Sequence, residues 1–173
     1  MKLEDYFIIS GTYELVNGVY NVNGDVRLIQ KFKKLPFKFG KVTGHFYCSR
    51  NLSSLEGCPS WVGGNFYCHI NNLKSLEGAP KKVGRDFSCG DNNLTSLKGC
   101  PSYVGRSFDC SNNKLKSLQG CPTFVGGSFF CNNNNLKTLE GFPTSISGEI
   151  FCDDNLKSTK EYRQYLIMKK LRK

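Results

Sequence analysis

At 173 residues, with 39% apolar, 13% aromatic and 22% charged residues, the chain reads as one folded domain and not as a disordered tail. Lys and Arg number 24 against 14 Asp and Glu, a net charge of +10 that favours anionic partners without saying where the charge sits. No apolar stretch approaches the roughly 20 residues of a membrane span, and the start MKLEDYFIIS is unlike a secretory leader, so a soluble cytoplasmic protein is expected.

Residues 1–21 are rich in aromatic and β-branched side chains (Tyr6, Ile8, Ile9, Tyr13, Val19, Tyr20), which predicts an N-terminal cap of strands. Residues 22–158 are repeats. Cys48, Cys68, Cys89, Cys110, Cys131 and Cys152 follow one another at 20, 21, 21, 21 and 21 residues, and five full units plus a partial one at each end align on them. Within a unit F-x-C alternates as a short half-buried strand does. An Asn stands three residues after every one of these cysteines, from Asn51 to Asn155, and L-x-x-L and then G-x-P follow as turn punctuation. One such unit cannot close a core, whereas stacked units share one. Residues 159–173 predict a basic C-terminal helix with Ser158 or Thr159 as N-cap and Glu161 in the first turn. Its Tyr162, Leu166 and Ile167 are expected to seal the last coil.

The string F-x-C-x-x-N-x-L-x-x-L, as in Phe87, Cys89, Asn92, Leu94 and Leu97, resembles the leucine-rich repeat. The repeat length and the Pro that follows resemble the short bacterial type, and E-G-x-P resembles repeat proteins of large tailed phages. The resemblance covers residues 22–158, with Phe and Cys where Leu is usual and with Val62, Val83, Val104 and Val125 one position early. It implies a curved solenoid with a parallel sheet on its concave side; with the helix read over 159–173, one mainly β domain with a short C-terminal helical cap is expected. It also implies recognition of a protein by the concave face. A phage-type repeat implies a host protein as target and the cytoplasm of a bacterial or infected host cell as location.

Nine cysteines invite a disulfide or metal reading, but the count is odd and no C-x-x-C occurs. Free Cys packs as a small hydrophobe, so the six-member column is read as reduced core, and no metal or cofactor is expected. Cys58, Cys100 and Cys121 alternate with Ala79 and Phe142 at the x of G-x-P, as a packing slot allows. No catalytic group is assigned either. His45 and His69 are four alignment positions apart, roughly 13 Å along a strand, and the carboxylates are staggered.

If Phe and Cys point inward, their neighbours face out. That face holds seven acids (Asp25, Asp86, Asp91, Asp109, Glu149, Asp153, Asp154) against Arg27 and Arg50, with Tyr47 beside Tyr67 and Phe130 beside Phe151. Aromatic groups of this kind are enriched at interface cores. The expected function is therefore non-catalytic protein binding, with Tyr47, Tyr67, Asp86, Asp109, Phe130 and Phe151 as contacts. The alternative is nucleic-acid or nucleotide binding through basic flanks and the tail, by Arg85, Arg106, Lys169, Lys170, Arg172 and Lys173. A monomer or weak self-association is expected.

Overall fold

The repeat folds as one coil of a parallel β-solenoid, because a strand as short as F-x-C acquires backbone partners only from the coils above and below. The computed structural model describes residues 2–49 and 51–171. A hairpin of β1 (Phe7–Val16) and β2 (Val19–Leu28) opens the stack, turned by Asn17 and Gly18, both at positive φ as a two-residue hairpin requires.

Each coil below the hairpin contributes two strands, where a single F-x-C strand was expected. One ladder is β3 (Lys38–Val42), β5 (Trp61–Val62), β7 (Lys82–Val83), β9 (Tyr103–Val104), β11 (Phe124–Val125) and β13 (Ser145–Ile146). The other is β4 (Phe46–Tyr47), β6 (Phe66–Tyr67), β8 (Phe87–Ser88), β10 (Phe108–Asp109), β12 (Phe129–Phe130) and β14 (Ile150–Phe151). Both ladders start from β2, whose first half pairs with β3 and whose second half pairs with β4. Val leads a strand of its own, which accounts for its early position in the repeat.

Three corners shape a coil. At the first, between the two strands, coils approach so closely that a Cβ on Gly105 would lie 2.0 Å from the Gly84 carbonyl oxygen. At the second, after Cys, the chain turns through left-handed residues: Asn51, Ile70, Asp91, Asn112 and Asn133. At the third, the Leu97 carbonyl accepts from Cys100 N–H across Gly99 at φ +91°, and the same turn recurs in the other full units. The Ser or Thr before it accepts the N–H two residues on, as Ser96 Oγ does from Lys98 at 3.1 Å.

The interior is a set of columns, Val, Phe, Cys and two of Leu, each nearly or fully buried. The Phe rings from Phe46 to Phe129 stack at 5.3 to 5.7 Å. All nine cysteines are free. Burial drives the thiols of Cys48, Cys68, Cys89, Cys100 and Cys110 well above their ordinary pKa, and that of Cys121 up to about 12.

The asparagine column divides. Asn113 Oδ1 accepts from Leu94 N–H at 2.9 Å, while its Nδ2 donates to the Cys89 and Cys110 carbonyls, tying two coils at the second corner. Asn71, Asn92 and Asn134 repeat the pattern. Asn51 and Asn155 do not, because their coils have one residue fewer between Cys and Leu. Asn51 moves to the exposed left-handed position, and Asn155 falls in a 3-10 turn.

Helix α1 (Lys160–Leu171) closes the far end, with Thr159 as cap: its Oγ1 accepts from Tyr162 N–H. The helix is rotated from the expected orientation. Tyr165 is buried in the core and Tyr162, as expected, packs partly buried against it, whereas Leu166 and Ile167, also expected to seal the last coil, are exposed. Tyr165 Oη donates to the Gly148 carbonyl at 3.0 Å, a bond the apolar pattern does not foretell.

Candidate functional site

Parallel pairing in register makes outward side chains neighbours at one strand spacing. Down the Phe–Cys ladder the outward column runs Arg27, Tyr47, Tyr67, Ser88, Asp109, Phe130, Phe151. The Tyr47 and Tyr67 rings lie 5.5 Å apart and tilted, with the Arg27 guanidinium 4.7 Å from the Tyr47 ring centre. His45 packs on Tyr47 and His69 on Tyr67, edge to face in the second case. Partial burial, with Asp86 nearby, raises the Tyr67 hydroxyl pKa. At the other end Phe130 and Phe151 stack nearly parallel at 4.5 Å, and Phe151 is 46% exposed.

The acids between these groups are engaged within the fold. The column before Phe forms a ladder in which each side chain accepts the backbone N–H of the next coil. Asp25 accepts from His45, His45 Nδ1 from Asn65, Asn65 from Asp86, and Asp86 Oδ1 from Ser107 at 2.9 Å. Ser107 and Ser128 carry it on to Glu149. Asp109 Oδ1 accepts from Ser111 N–H and hydroxyl, and its Oδ2 accepts from Ser88 Oγ at 3.1 Å. Asp153 accepts from Asn133 N–H, and Asp154 pairs with Lys157. The two carboxylates expected to meet a partner thus already hold coil to coil. Around Ser88 they border a recess of about 390 Å³, lined also by Tyr67, His69 and Asp91.

A second outward column escaped the sequence reading. On the Val ladder Lys41, Trp61, Lys82, Tyr103, Phe124 and Ser145 stand in register. Tyr103 and Phe124 stack at 4.9 Å, and Lys82 Nζ lies 4.8 Å from the Tyr103 ring centre. The residue before each Val held the signal, which is invisible when the strand is started at Phe.

Ile70 is the one hydrophobe among the five left-handed second-corner residues. It sits at φ +53° and is 65% exposed, next in sequence to His69.

Of the basic residues, Arg85 and Arg106 are exposed at the first corner on successive coils, joined by Arg106 N–H to Arg85 carbonyl. Lys169 bonds to Glu149 and lies over the Tyr165 ring, while Lys170 is exposed. Arg50, Arg172 and Lys173 lie outside the described residues. Among the described residues no three His, Cys, Asp or Glu side chains form a group able to hold a metal ion, and no helix is long and apolar enough to cross a membrane.

No protein-family model, curated protein or solved structure matches this chain.

Proposed function

We propose that the chain is a non-catalytic protein-recognition module of the cytoplasm, of the short leucine-rich-repeat type. It binds a partner through its outer sheet face. The contact centre is Ile70 with Tyr47 and Tyr67, and the exposed face of the Phe130–Phe151 stack forms a second contact. Asp86 and Asp109 contribute residual negative potential that orients a basic partner.

Ile70 is the observation that carries this reading. A left-handed backbone costs an L-residue about 1–2 kcal/mol, least for Asn and Asp, which fill the four equivalent corners. A β-branched side chain there is strained, and with 65% of its surface in water it returns little packing energy. Folding does not call for Ile at this corner; an apolar contact to a partner does.

The test is tagged-protein capture from the native cell, with and without nuclease. A stoichiometric protein is expected to survive nuclease, to be lost with Ile70→Asn and to be weakened by Tyr67→Ala with Phe130→Ala. The Ile70→Asn variant is expected to be more stable than the parent by about 1 kcal/mol, measured by urea unfolding. Undiminished capture by both variants removes the proposal. Recovery of nuclease-sensitive material alone moves the function to Arg85, Arg106 and the basic tail.

A further inference from the structure

We infer that the face of the Val ladder binds single-stranded nucleic acid, stacking unpaired bases on its aromatic rings and holding phosphates with Arg85, Arg106 and the lysines beside them. This face is separate from the one proposed for a protein partner.

Charge is the first argument. The stretches that build the face, residues 36–44, 58–64, 79–85, 100–106, 121–127 and 142–148, contain no Asp or Glu. They carry Lys38, Lys41, Lys81, Lys82, Arg85 and Arg106, all exposed. Lys81, Lys82, Arg85 and Arg106 make no ion pair among the described residues, and the third-corner acids Glu56 and Glu77 pair with Lys34 and Lys98 instead. The outward acids Asp25, Asp86 and Asp109 stand on the other ladder. A polyanion is therefore attracted to one side of the coil and repelled from the other.

The rings are the second argument. Tyr103 and Phe124 stack within 5° of parallel at 4.9 Å, close to one coil spacing. Next in register after Phe124 comes Ser145, which has no ring to cover the outer face of this stack. A base entering over Ser145 continues it. At the other end the exposed Lys82 lies over the Tyr103 ring, and Trp61 follows in register. The rings lean toward the first corner: a Cβ on Gly63 would lie 2.9 Å from the Trp61 indole, and one on Gly126 would lie 3.3 Å from the Phe124 ring. Arg85 and Arg106 stand at that corner on the two coils between Trp61 and Phe124. Rings and arginines thus share one patch spanning three coil spacings, about 14 Å.

This combination selects the occupant. An acidic peptide uses the cations and leaves three rings idle, and a duplex hides the faces of its bases. A single strand uses both, because every base has a π-face and every nucleotide a phosphate. Stacking and backbone charge read no base identity, so binding is expected to tolerate changes of sequence.

Trp61 is the only tryptophan, so its emission reports on this face alone. Titration of the full chain with oligo(dT) or oligo(U) of about 12 nucleotides is expected to quench it, whereas heparin, a polyanion without bases, leaves it unchanged. With one phosphate for each of Lys81, Lys82, Arg85 and Arg106, log K is expected to fall against log salt with a slope of about −3. Arg85→Ala with Arg106→Ala is expected to bring that slope to about −1.4. Both arginines are exposed, so this variant tests the face without touching the core. Phe124→Leu is expected to weaken binding about tenfold at an unchanged slope, with circular dichroism confirming the fold. Ile70→Asn, on the surface proposed for the protein partner, is expected to bind the oligonucleotide as the parent does, so the two proposals are tested apart. Absence of quenching by both oligonucleotides overturns the inference, and so does a salt slope that the arginine pair leaves unchanged. Equal affinity for a duplex of the same length, or for poly-glutamate, overturns it too, the latter assigning the face to an acidic peptide.

Discussion

A side-chain amide at the second corner does what no apolar residue can. Asn113 is buried, and it satisfies one backbone N–H and two Cys carbonyls that face away from water. Asn113→Ala strands these groups and is expected to cost about 2–4 kcal/mol, read from the urea midpoint. Asn155→Ala, at an exposed site in the 3-10 turn, is expected to change stability by about 0.5 kcal/mol or less. The two residues stand at the same distance from their cysteines, so a gap between these costs measures tertiary position alone. Asp86 and Asp109 carry the complementary lesson. As sequence they are outward acids, and in the fold they are acceptors for Ser107 and for Ser111 with Ser88.

The coil depends on its first corner as much as on its strands. Gly63, Gly84, Gly105 and Gly126 stack there, and each would place a Cβ within 2.3 Å of a carbonyl oxygen in the preceding coil. What the position needs is close approach, since none of the four has positive φ. Gly105→Ala is expected to force neighbouring coils apart and to cost about 1–3 kcal/mol, measured by thermal or urea unfolding. Thr43 and Ser147 carry side chains at the equivalent position in the first and last coils, where the stack meets the hairpin and the terminal helix. The helix obeys a similar rule of position. Tyr165 faces the last coil because its hydroxyl reaches an edge carbonyl, and Leu166 and Ile167 turn to solvent as a consequence.

Across the whole molecule, six thiols run down a buried column, with Cys100 and Cys121 half-buried beside it at the third corner. Burial raises Cys48, Cys68, Cys89, Cys100 and Cys110 well above the ordinary value of 9.0, and Cys121 to about 12. The unfolded chain therefore ionises first as pH rises. The stability held by these thiols is full below about pH 8 and falls from about pH 9 upward, each removing about 1.4 kcal/mol per pH unit. Urea midpoints are expected to be level from about pH 7 to 8 and to drop steeply by about pH 10. A level profile across that range would mean that the column is open to water. Reductant and chelator are expected to leave the midpoint unchanged, because the nine cysteines are free and no three His, Cys, Asp or Glu side chains group together among the described residues.

From the sequence alone come the solenoid, the length of its coil, the Val, Phe, Cys and Leu columns of its core, and the two outward aromatic pairs. All of these depend on periodicity, and a repeat stacked in register turns spacing along the chain directly into neighbours in space. The tertiary structure alone decided the second strand of each coil and its outward Trp61, Tyr103 and Phe124. It also decided the rotation of the helix, the engagement of the acids, and the departure of Asn51 and Asn155 from the amide ladder. Each of these depends on which backbone groups a neighbouring coil leaves unpaired, and on how near that coil comes. A one-residue deletion or a missing Cβ sets both, and the spacing of hydrophobic residues does not record either.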